Sequence, residues 1–532
     1  MPHIESSGEK TLQPLPALVS THKWLVTLTV MTGTTMSTLD TSIVNVAMPH
    51  IQGNLGASVE EITWVATAYI LSSVIMMPLI ALMSSRFGRK KFYMFSVVIF
   101  VVSSMLCGMA RSLPTLVAFR VIQGIGGGTL IPVSQAILRE TFPIEEQGMA
   151  MGIYGLGVIL GPTCGPLLGG WLTDNYSWPW IFYINVPVCI VNILMVMRFI
   201  HDPSYLVREK GKMDWSGLAF MIIGLGSLQV MLEEGQRKEW FESSLIVWMA
   251  VIATVGLILF IWRELTTDKP AVDLRILRNV TFASGTAIGA ILGMGLYSSI
   301  FILPLFLQQL MGYPALNAGM TLIPRSLAMS LIFPLAGRMY NRVGPRRMIF
   351  AGLLIGIYSF WELSRLSLDV SYWNIFFPQF LQGIGFGFIF VSLSTAALST
   401  IERPQMTAAT GLYNVIRQVF GSIGLAIAAT EISSGLTRNR AFLVNHISNL
   451  NQTATSQIAF IRSAIATRIA DPVAAQQMTL NIMDHRIMQQ AGMLSYNHVF
   501  YLVTILFIFA LPFVVLLRGA RPMVGVPKAL GS

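Results

Sequence analysis

Long apolar stretches separated by short polar breaks run through almost the whole chain. Most are long enough for an α-helix to cross about 30 Å of hydrocarbon, at roughly 1.5 Å per residue. The first stretch is too long and too polar in its second half to be a cleaved signal peptide. The pattern predicts fourteen membrane-spanning helices, near residues 24–48, 60–84, 92–110, 113–136, 148–172, 179–199, 216–233, 244–263, 281–309, 315–338, 347–365, 372–399, 408–431 and 496–517.

The composition agrees with an all-α polytopic membrane protein. The 532 residues are 54% hydrophobic and 11% charged, whereas soluble domains average about 25% charged residues. The three cysteines, Cys107, Cys164 and Cys189, have neither disulfide nor metal-ligand spacing, so no metal site is expected. The segment GEKT at 8–11 lacks the first glycine of a phosphate-binding loop, so ATP hydrolysis is not indicated.

Basic residues are concentrated in alternate loops. If the N-terminus is cytoplasmic, the tails and inner loops hold 23 Lys and Arg, and the short outer loops hold 4. This is the asymmetry of the positive-inside rule. It predicts that both termini are cytoplasmic, and it explains a net charge of +10 without a nucleic-acid partner.

The two halves of the chain resemble each other at a nearly constant offset. The offset is 259 residues for three matches and 256 for the fourth: 119–128 with 378–387, 152–154 with 411–413, Gly165 with Gly424, and 86–91 with 342–347. Parallel six-helix repeats of this kind form transporters with a cavity between their halves. The predicted organisation is an N-tail (1–23), a six-helix bundle (24–199), a linker with two extra helices (200–280), a second bundle (281–517) that includes an extracytoplasmic loop (433–495), and a C-tail (518–532).

Three ordered motifs resemble those of the major facilitator superfamily, and within it the fourteen-helix drug/proton antiporters. They are LDTSIVNVAMP at 39–49, RVIQGIGGG at 120–128 and GVILGPTCGPLLGG at 157–170. The segment at 226–241 and the long loop before the last helix resemble the inner-membrane subunits of tripartite drug pumps in Gram-negative bacteria. The resemblance implies the major facilitator fold, alternating access and export across the bacterial inner membrane.

The loop between the second and third helices departs from the pattern of that family. Ala81 stands where the family has a glycine, and Ser85 stands where it has an acid. An inner-gate salt bridge that uses this acid is therefore in question. The other gate positions are retained, namely Arg86, Gly88, Arg89 and Lys90.

Asp40 is the first candidate functional residue, because it lies inside the first apolar stretch. An ionised acid at membrane depth costs at least about 2.5 kcal/mol, so such residues usually have a function. In an apolar cavity Asp40 could load and release a proton near neutral pH, although it could also be a structural carboxylate bonded to Thr38 or Thr41. The resemblance makes Arg120 part of the proton or substrate path, and the alternative is a clamp between helices.

The other deep charges are Arg325 and Arg417, and with Arg120 they give three positive charges against Asp40. This balance favours neutral, anionic or weakly acidic lipophiles over polycations. Each polar or aromatic residue of the predicted substrate cavity could also be an ordinary packed residue. The candidates are Asn45, Tyr69, Gln123, Tyr297, Gln308, Arg325, Gln379, Gln382, Tyr413, Asn414 and Arg417.

Glycines recur every four residues in the fifth helix, with two prolines between them. Such a face permits close helix packing, and proline bends a helix. Tight packing alone would explain the pattern, but the resemblance implies a hinge and seal that favour exchange. The residues are Gly157, Gly161, Pro162, Gly165, Pro166 and Gly169.

The loop at 433–495 is too long to be a simple connector. Asp471 followed by Pro472 is typical of a helix start. Apolar residues form one helical stripe before it and a second stripe after it, namely Ile458, Ile461, Ile465 and Ile469, then Leu480, Met483 and Ile487. We expect two amphipathic helices. They would form a lid or a docking surface for a periplasmic adaptor.

These features predict a secondary transporter and not an enzyme. The expected function is proton-driven export of lipophilic toxic compounds, with the proton gradient in place of a cofactor. Expected partners are small lipophilic substrates, protons, the bilayer and, through the resemblance, an adaptor with an outer-membrane channel. The alternatives are a stand-alone exporter of a metabolite or fatty acid, a nutrient importer, and a membrane sensor or scaffold that does not transport.

Overall fold

Long helices follow the predicted apolar stretches in a computed structural model, which describes residues 20–202, 214–267, 270–445, 452–466 and 471–517. The predicted C-tail, most of the N-tail and parts of the linker and the outer loop lie outside the described residues. The long helices are α1 (Ser20–Leu55), α2 (Trp64–Phe87), α3 (Arg89–Gly108), α4 (Leu113–Thr141), α5 (Gln147–Asn175), α6 (Asn185–Phe199), α7 (Trp215–Glu234), α8 (Ser244–Thr266), α9 (Val280–Gln309), α10 (Ile323–Val343), α11 (Pro345–Leu363), α12 (Tyr372–Ala397), α13 (Met406–Asn445) and α14 (Pro472–Leu516).

Shorter helical segments connect some of them. Four are α-helical, at Val59–Ile62, Trp180–Tyr183, Ala315–Met320 and Gln452–Ala466, and three are 3-10 turns, at Trp240–Glu242, Leu274–Arg278 and Arg403–Gln405. No strand occurs in the described parts of the chain.

Twelve helices among the described residues are long and apolar enough to cross a membrane, whereas the sequence predicted fourteen. The two others are α1 and α11. The apolar stretch of α1 is interrupted by many threonines and Asp40, and α11 has Arg346 and Arg347 in its first turn and Glu362 near its end. Both pack inside the bundles. They differ from the twelve in polar content and not in their place in the fold.

The two bundles have the same internal packing. In the first bundle α1 packs on α5, α2 on α4 and α3 on α4, and in the second α9 packs on α13, α10 on α12 and α11 on α12. The bundles meet through α5 with α10 and through α2 with α13, which are equivalent pairs under the repeat. Gly88 and Gly344, 256 residues apart, end α2 and α10 with φ angles of 84° and 86°.

The extra helices α7 and α8 pack mainly on each other, and α7 also contacts α2 and α13. Asp214 caps α7 by accepting from the Gly217 N–H and pairs with Arg263 Nε at 2.9 Å. Burial alone would raise the pKa of Asp214, but the hydrogen bonds from Arg263, Ser216 and the Gly217 N–H lower it to about 2.

The two helices beside the long outer loop are longer than the sequence predicted. The predicted ends at 431 and 496 are wrong, because α13 continues to Asn445 and α14 already begins at Pro472. Asp471 is the N-cap of α14, as predicted, and accepts from the Val473 N–H. Hydropathy detects only the apolar part of a helix, so the segment after Asp471 was predicted as a separate amphipathic helix, whereas it is continuous with the last apolar stretch.

Candidate functional site

Asp40 lies fully buried on α1, inside the first bundle. Its Oδ2 accepts from Arg120 Nη1 at 2.5 Å, and its Oδ1 accepts from Gln123 Nε2 at 2.8 Å and Asn185 Nδ2 at 3.1 Å. An ionised carboxylate only accepts hydrogen bonds, and these donors match it. The surroundings are therefore a closed polar cluster and not the apolar cavity expected from the sequence, and the three partners replace Thr38 and Thr41.

Arg120 is held by more than the ion pair. Its Nε donates to the Val65 carbonyl at 3.0 Å, and its Nη1 also donates to Gln123 Oε1 at 2.8 Å. The guanidinium carbon lies 4.4 Å from the centre of the Tyr69 ring, a cation–π arrangement. Arg120 thus joins α4 to α1 and α2, and its charge is compensated by Asp40.

Asn185 was not among the predicted site residues. It is the first residue of α6, is fully buried, and also donates to Ser104 Oγ at 3.0 Å. The buried amide oxygen of Asn185 has no hydrogen-bond partner. An amide in an apolar stretch was the only available signal in the sequence, and it does not reveal which helix the side chain meets.

The glycine face of α5 packs directly against the part of α1 that carries Asp40. A Cβ at Gly161 would lie 2.5 Å from the Leu39 backbone N, and one at Gly165 would lie 2.6 Å from Ser42. Gly157 and Gly169 meet α1 in the same way, at Met31 and Ile43. Pro162 is exposed and Pro166 is half-buried. Close packing is therefore present, and the hinge role stays a prediction.

A second polar cluster lies in the other bundle. Arg325 on α10 is buried, and its Nη1 donates to Ser299 Oγ at 3.1 Å and to Gln382 Oε1 at 3.2 Å. Ser299 Oγ also donates to Gln382 Oε1, at 2.9 Å. Gln379 lies one turn before Gln382 on α12 and is fully buried as well.

Arg417 and Asn414 lie where α13 meets the first bundle. Asn414 Nδ2 donates to Gln135 Oε1 of α4 at 2.8 Å, and Arg417 Nη2 donates to Asn414 Oδ1 at 3.2 Å. Tyr413 is buried beside Gly289 of α9. Gln135 was not predicted, because it belongs to no motif or charged pair.

The remaining cavity candidates lie apart from these clusters. Tyr297 donates to Gln418 Oε1 at 2.7 Å, and a Cβ at Gly421 would meet its ring. Asn45 on α1 and Gln308 on α9 are exposed. Whether these residues touch substrate stays a prediction.

Two of the predicted inner-gate residues, Arg89 and Lys90, contact their own bundle and the start of the linker. Arg89 pairs with Glu140 at the end of α4. Lys90 Nζ donates to the Met197 carbonyl at 2.7 Å, and the Lys90 N–H donates to Asp202 at 2.8 Å. Asp202 also faces Gly88, where a Cβ would lie 2.5 Å from its Oδ2. Arg86 lies beside these residues in the last turn of α2, and the gate role stays a prediction.

The two bundles close against each other at the end that holds the α2–α3 and α10–α11 connections, which we call the basic end. Arg139 donates to Gln147 Oε1 and, across the bundles, to the Thr395 carbonyl. A Cβ at Gly337 of α10 would lie 2.7 Å from the Gly148 carbonyl oxygen of α5. Backbone lies against backbone here, so the two bundles are in close contact at this end in the present conformation.

Two equivalent helical bundles that enclose charged side chains are typical of membrane transporters. The chain belongs to the Major Facilitator Superfamily, whose family profile matches residues 30–425. The family resemblance inferred from the sequence motifs is confirmed.

Relatives at about one-third identity include export proteins. The chain is 33% identical to the multidrug export protein EmrB of Escherichia coli K12 over 479 residues, which cover 90% of this chain and 92% of that protein. It is also 33% identical to the fatty acid resistance protein FarB of Neisseria gonorrhoeae over 491 residues, 92% and 95% of the two chains. The solved proton:xylose symporter XylE shares the fold at 13% identity, with a TM-score of 0.59 over 94% and 97% of the two chains.

Proposed function

We propose that the chain is a proton-coupled antiporter that exports lipophilic toxic compounds by alternating access. The observation that carries this proposal is the fully buried Asp40–Arg120 pair with its two amide donors. A buried ion pair is weak evidence for stability, because desolvation offsets most of its attraction. A pair kept at membrane depth is better explained by a function that uses its charges.

The pair provides a way to couple proton binding to helix movement. While Asp40 accepts from Arg120, its charge is compensated and it needs no proton. A shift of α1 along α5 that separates the two residues would leave a carboxylate unpaired in a low-dielectric interior, where the neutral form is favoured. Proton uptake would then follow the conformational change. One proton moving down the membrane potential supplies about 2.3 kcal/mol per 100 mV, which can drive export.

We further propose that the chain acts in the bacterial inner membrane, with cytoplasmic termini, as the inner-membrane subunit of a tripartite pump. Similarity to EmrB supports this proposal. So does the length of α13 and α14, which have 40 and 45 residues, about twice what a bilayer requires. Their extensions pack together through Asn439 with Ser495 and Arg440 with Asp484. This helical projection would be the docking surface for a periplasmic adaptor.

A second candidate function is export of a fatty acid or a related metabolite without an adaptor. Two observations favour it. Arg325 and Arg417 are buried and have no carboxylate partner among the described residues, and the chain is similar to a protein named for fatty acid resistance.

The experiment that tests antiport compares wild-type protein with Asp40→Asn in proteoliposomes that carry a pH-sensitive dye inside. Neutral, anionic and cationic lipophiles are added in turn. With the wild-type protein, at least one of these classes should cause proton release, and Asp40→Asn should abolish this signal. Asp174→Asn is the matched control, because that carboxylate is exposed at the end of α5. Full substrate-driven proton movement by Asp40→Asn would overturn the proposal.

A further inference from the structure

The repeat places equivalent residues around the two buried clusters. The offset of 259 residues puts Ser299 at the position of Asp40 and Gln382 at the position of Gln123. In each bundle the residue on the first helix is hydrogen-bonded to the glutamine on the fourth, Asp40 to Gln123 and Ser299 to Gln382. The two clusters therefore occupy equivalent positions in the two bundles, although the glutamine donates to Asp40 in the first and accepts from Ser299 in the second.

The guanidinium group enters the two clusters from different helices. Arg120 comes from α4, and its equivalent in the second bundle is Gln379. Arg325 comes from α10, at the position that Tyr69 holds on α2 when the offset of 256 is used. Yet each guanidinium donates through Nη1 to the glutamine Oε1 and to the residue on the first helix.

The clusters also differ in the carboxylate. In the first bundle Asp40 neutralises Arg120, whereas in the second a serine hydroxyl meets Arg325. No carboxylate pairs with Arg325 among the described residues. The second cluster therefore lacks the anion that the first contains. This absence is informative, because an unpaired charge inside a protein is costly.

Unused donors surround this position. The Nε2 atom of Gln382 is buried without a partner, although the Oε1 of the same amide accepts from both Arg325 and Ser299. Both amide atoms of Gln379, one turn away, are also without partners. The amide N–H groups of Gln382 and Gln379 thus have hydrogen bonds to offer to a further acceptor.

We propose that Arg325, Ser299 and Gln382 bind the carboxylate of an anionic lipophile, in the place that the Asp40 side chain holds in the other bundle. A single guanidinium compensates one charge, so the site fits a monovalent carboxylate better than a phosphate. Gln379 supplies a further donor. The proposal deepens the proposed function and rests on it, because it names the charged group of the exported compound.

The test measures equilibrium binding of tritiated decanoate to the full chain in lipid nanodiscs by scintillation proximity, with empty nanodiscs subtracted. Arg325→Gln should weaken decanoate binding roughly 10- to 100-fold, the range expected for a charge-assisted hydrogen bond. Displacement of decanoate by decan-1-ol should be weak in the wild type, and chloride at equal ionic strength should compete weakly. Equal decanoate affinity of wild type and Arg325→Gln would overturn the proposal, as would displacement by millimolar chloride.

A second variant keeps the test decisive if Arg325→Gln fails to fold. Ser299→Asp introduces at the equivalent position the carboxylate that the first bundle has, so it should fold stably and lose decanoate binding to the same degree. Retained binding by a folded Ser299→Asp would overturn the proposal. Because the assay needs no proton gradient, decanoate binding without coupled proton movement would contradict only the antiport mechanism.

Discussion

At the scale of single residues, the Asp40–Arg120 pair limits which substitutions the first bundle can tolerate. Arg120→Gln leaves a buried carboxylate without its counter-charge, which typically destabilises a protein by about 3–5 kcal/mol. Removing both charges with Asp40→Asn and Arg120→Gln together should be less destabilising than Arg120→Gln alone. The free energy of unfolding of Asp40→Asn, Arg120→Gln and the double variant is measured in detergent, with tryptophan fluorescence as the signal.

The coupling between the two substitutions is the decisive quantity of this cycle. If the double variant loses as much stability as the two single variants combined, the two side chains do not interact in the folded protein. Gln123→Leu serves as the internal comparison. It removes one donor to Asp40 but leaves the charges paired, so it should cost only about 1–3 kcal/mol.

The two charged members of this cluster could be found from sequence, and its amide members only in part. Asp40 and Arg120 were identifiable because charge at membrane depth is rare and expensive. Gln123 followed from its place three residues after Arg120 on one helix face. Asn185 lies 145 residues from Asp40 in the chain, and only the packing of α6 on α1 brings the two together.

At the scale of helices, the contact between α1 and α5 depends on the absence of side chains. Gly161→Ala would place a methyl group against the backbone N of Leu39 and the hydroxyl of Thr38. We expect lower thermal stability and strongly reduced transport, because backbone cannot yield as a flexible side chain would.

Gly170→Ala is the matched control on the same helix, because a Cβ at that position has no neighbour within 4 Å. It should be neutral or slightly stabilising, since alanine favours a helix over glycine by up to about 1 kcal/mol. Equal effects of the two substitutions on melting temperature would show that general helix propensity, and not the contact with α1, explains the glycine pattern.

Helix positions were predictable from the sequence within the apolar stretches, and they were not predictable where a helix continues into polar sequence. The spans of α3 and α12 were predicted to within a few residues, because each begins and ends near the polar boundary of its apolar stretch. The last third of α13 is polar, with Thr437, Arg438 and Asn439 among its residues. Its helical structure is stabilised by packing on α14, which no local pattern reports.

At the scale of the whole molecule, the proposed alternating access requires that the two bundles also separate at the basic end, where they are now in close contact. The repeat predicts that α5 with α10 and α2 with α13 act as equivalent contacts, and both are formed here. Under the proposed mechanism, this contact must break before a solute can enter or leave at the basic end. Substitutions at the closure should therefore change the balance of conformations more than the stability of either bundle.

Gly337→Trp tests this expectation, because a large side chain at Gly337 meets the backbone of Gly148 and Met149 and cannot fit while the basic end is closed. We expect the population to shift toward a conformation that is open at this end, with transport slowed at least tenfold. Each tenfold shift of the conformational equilibrium corresponds to about 1.4 kcal/mol. Spin labels at Glu145 and Glu402, exposed positions at the basic end of the two bundles, report the change as longer distances in pulsed electron resonance.

Gly319→Trp provides the comparison, since this glycine lies in the short helix before α10 and a Cβ there would have no neighbour within 4 Å. It adds the same side chain without touching the closure, so the label distances should match those of the unsubstituted protein. If Gly337→Trp also leaves the distances unchanged while transport falls, the close contact between α5 and α10 is a rigid support. Access would then have to alternate by a movement that keeps the basic end closed, and the expectation that this contact opens would be wrong.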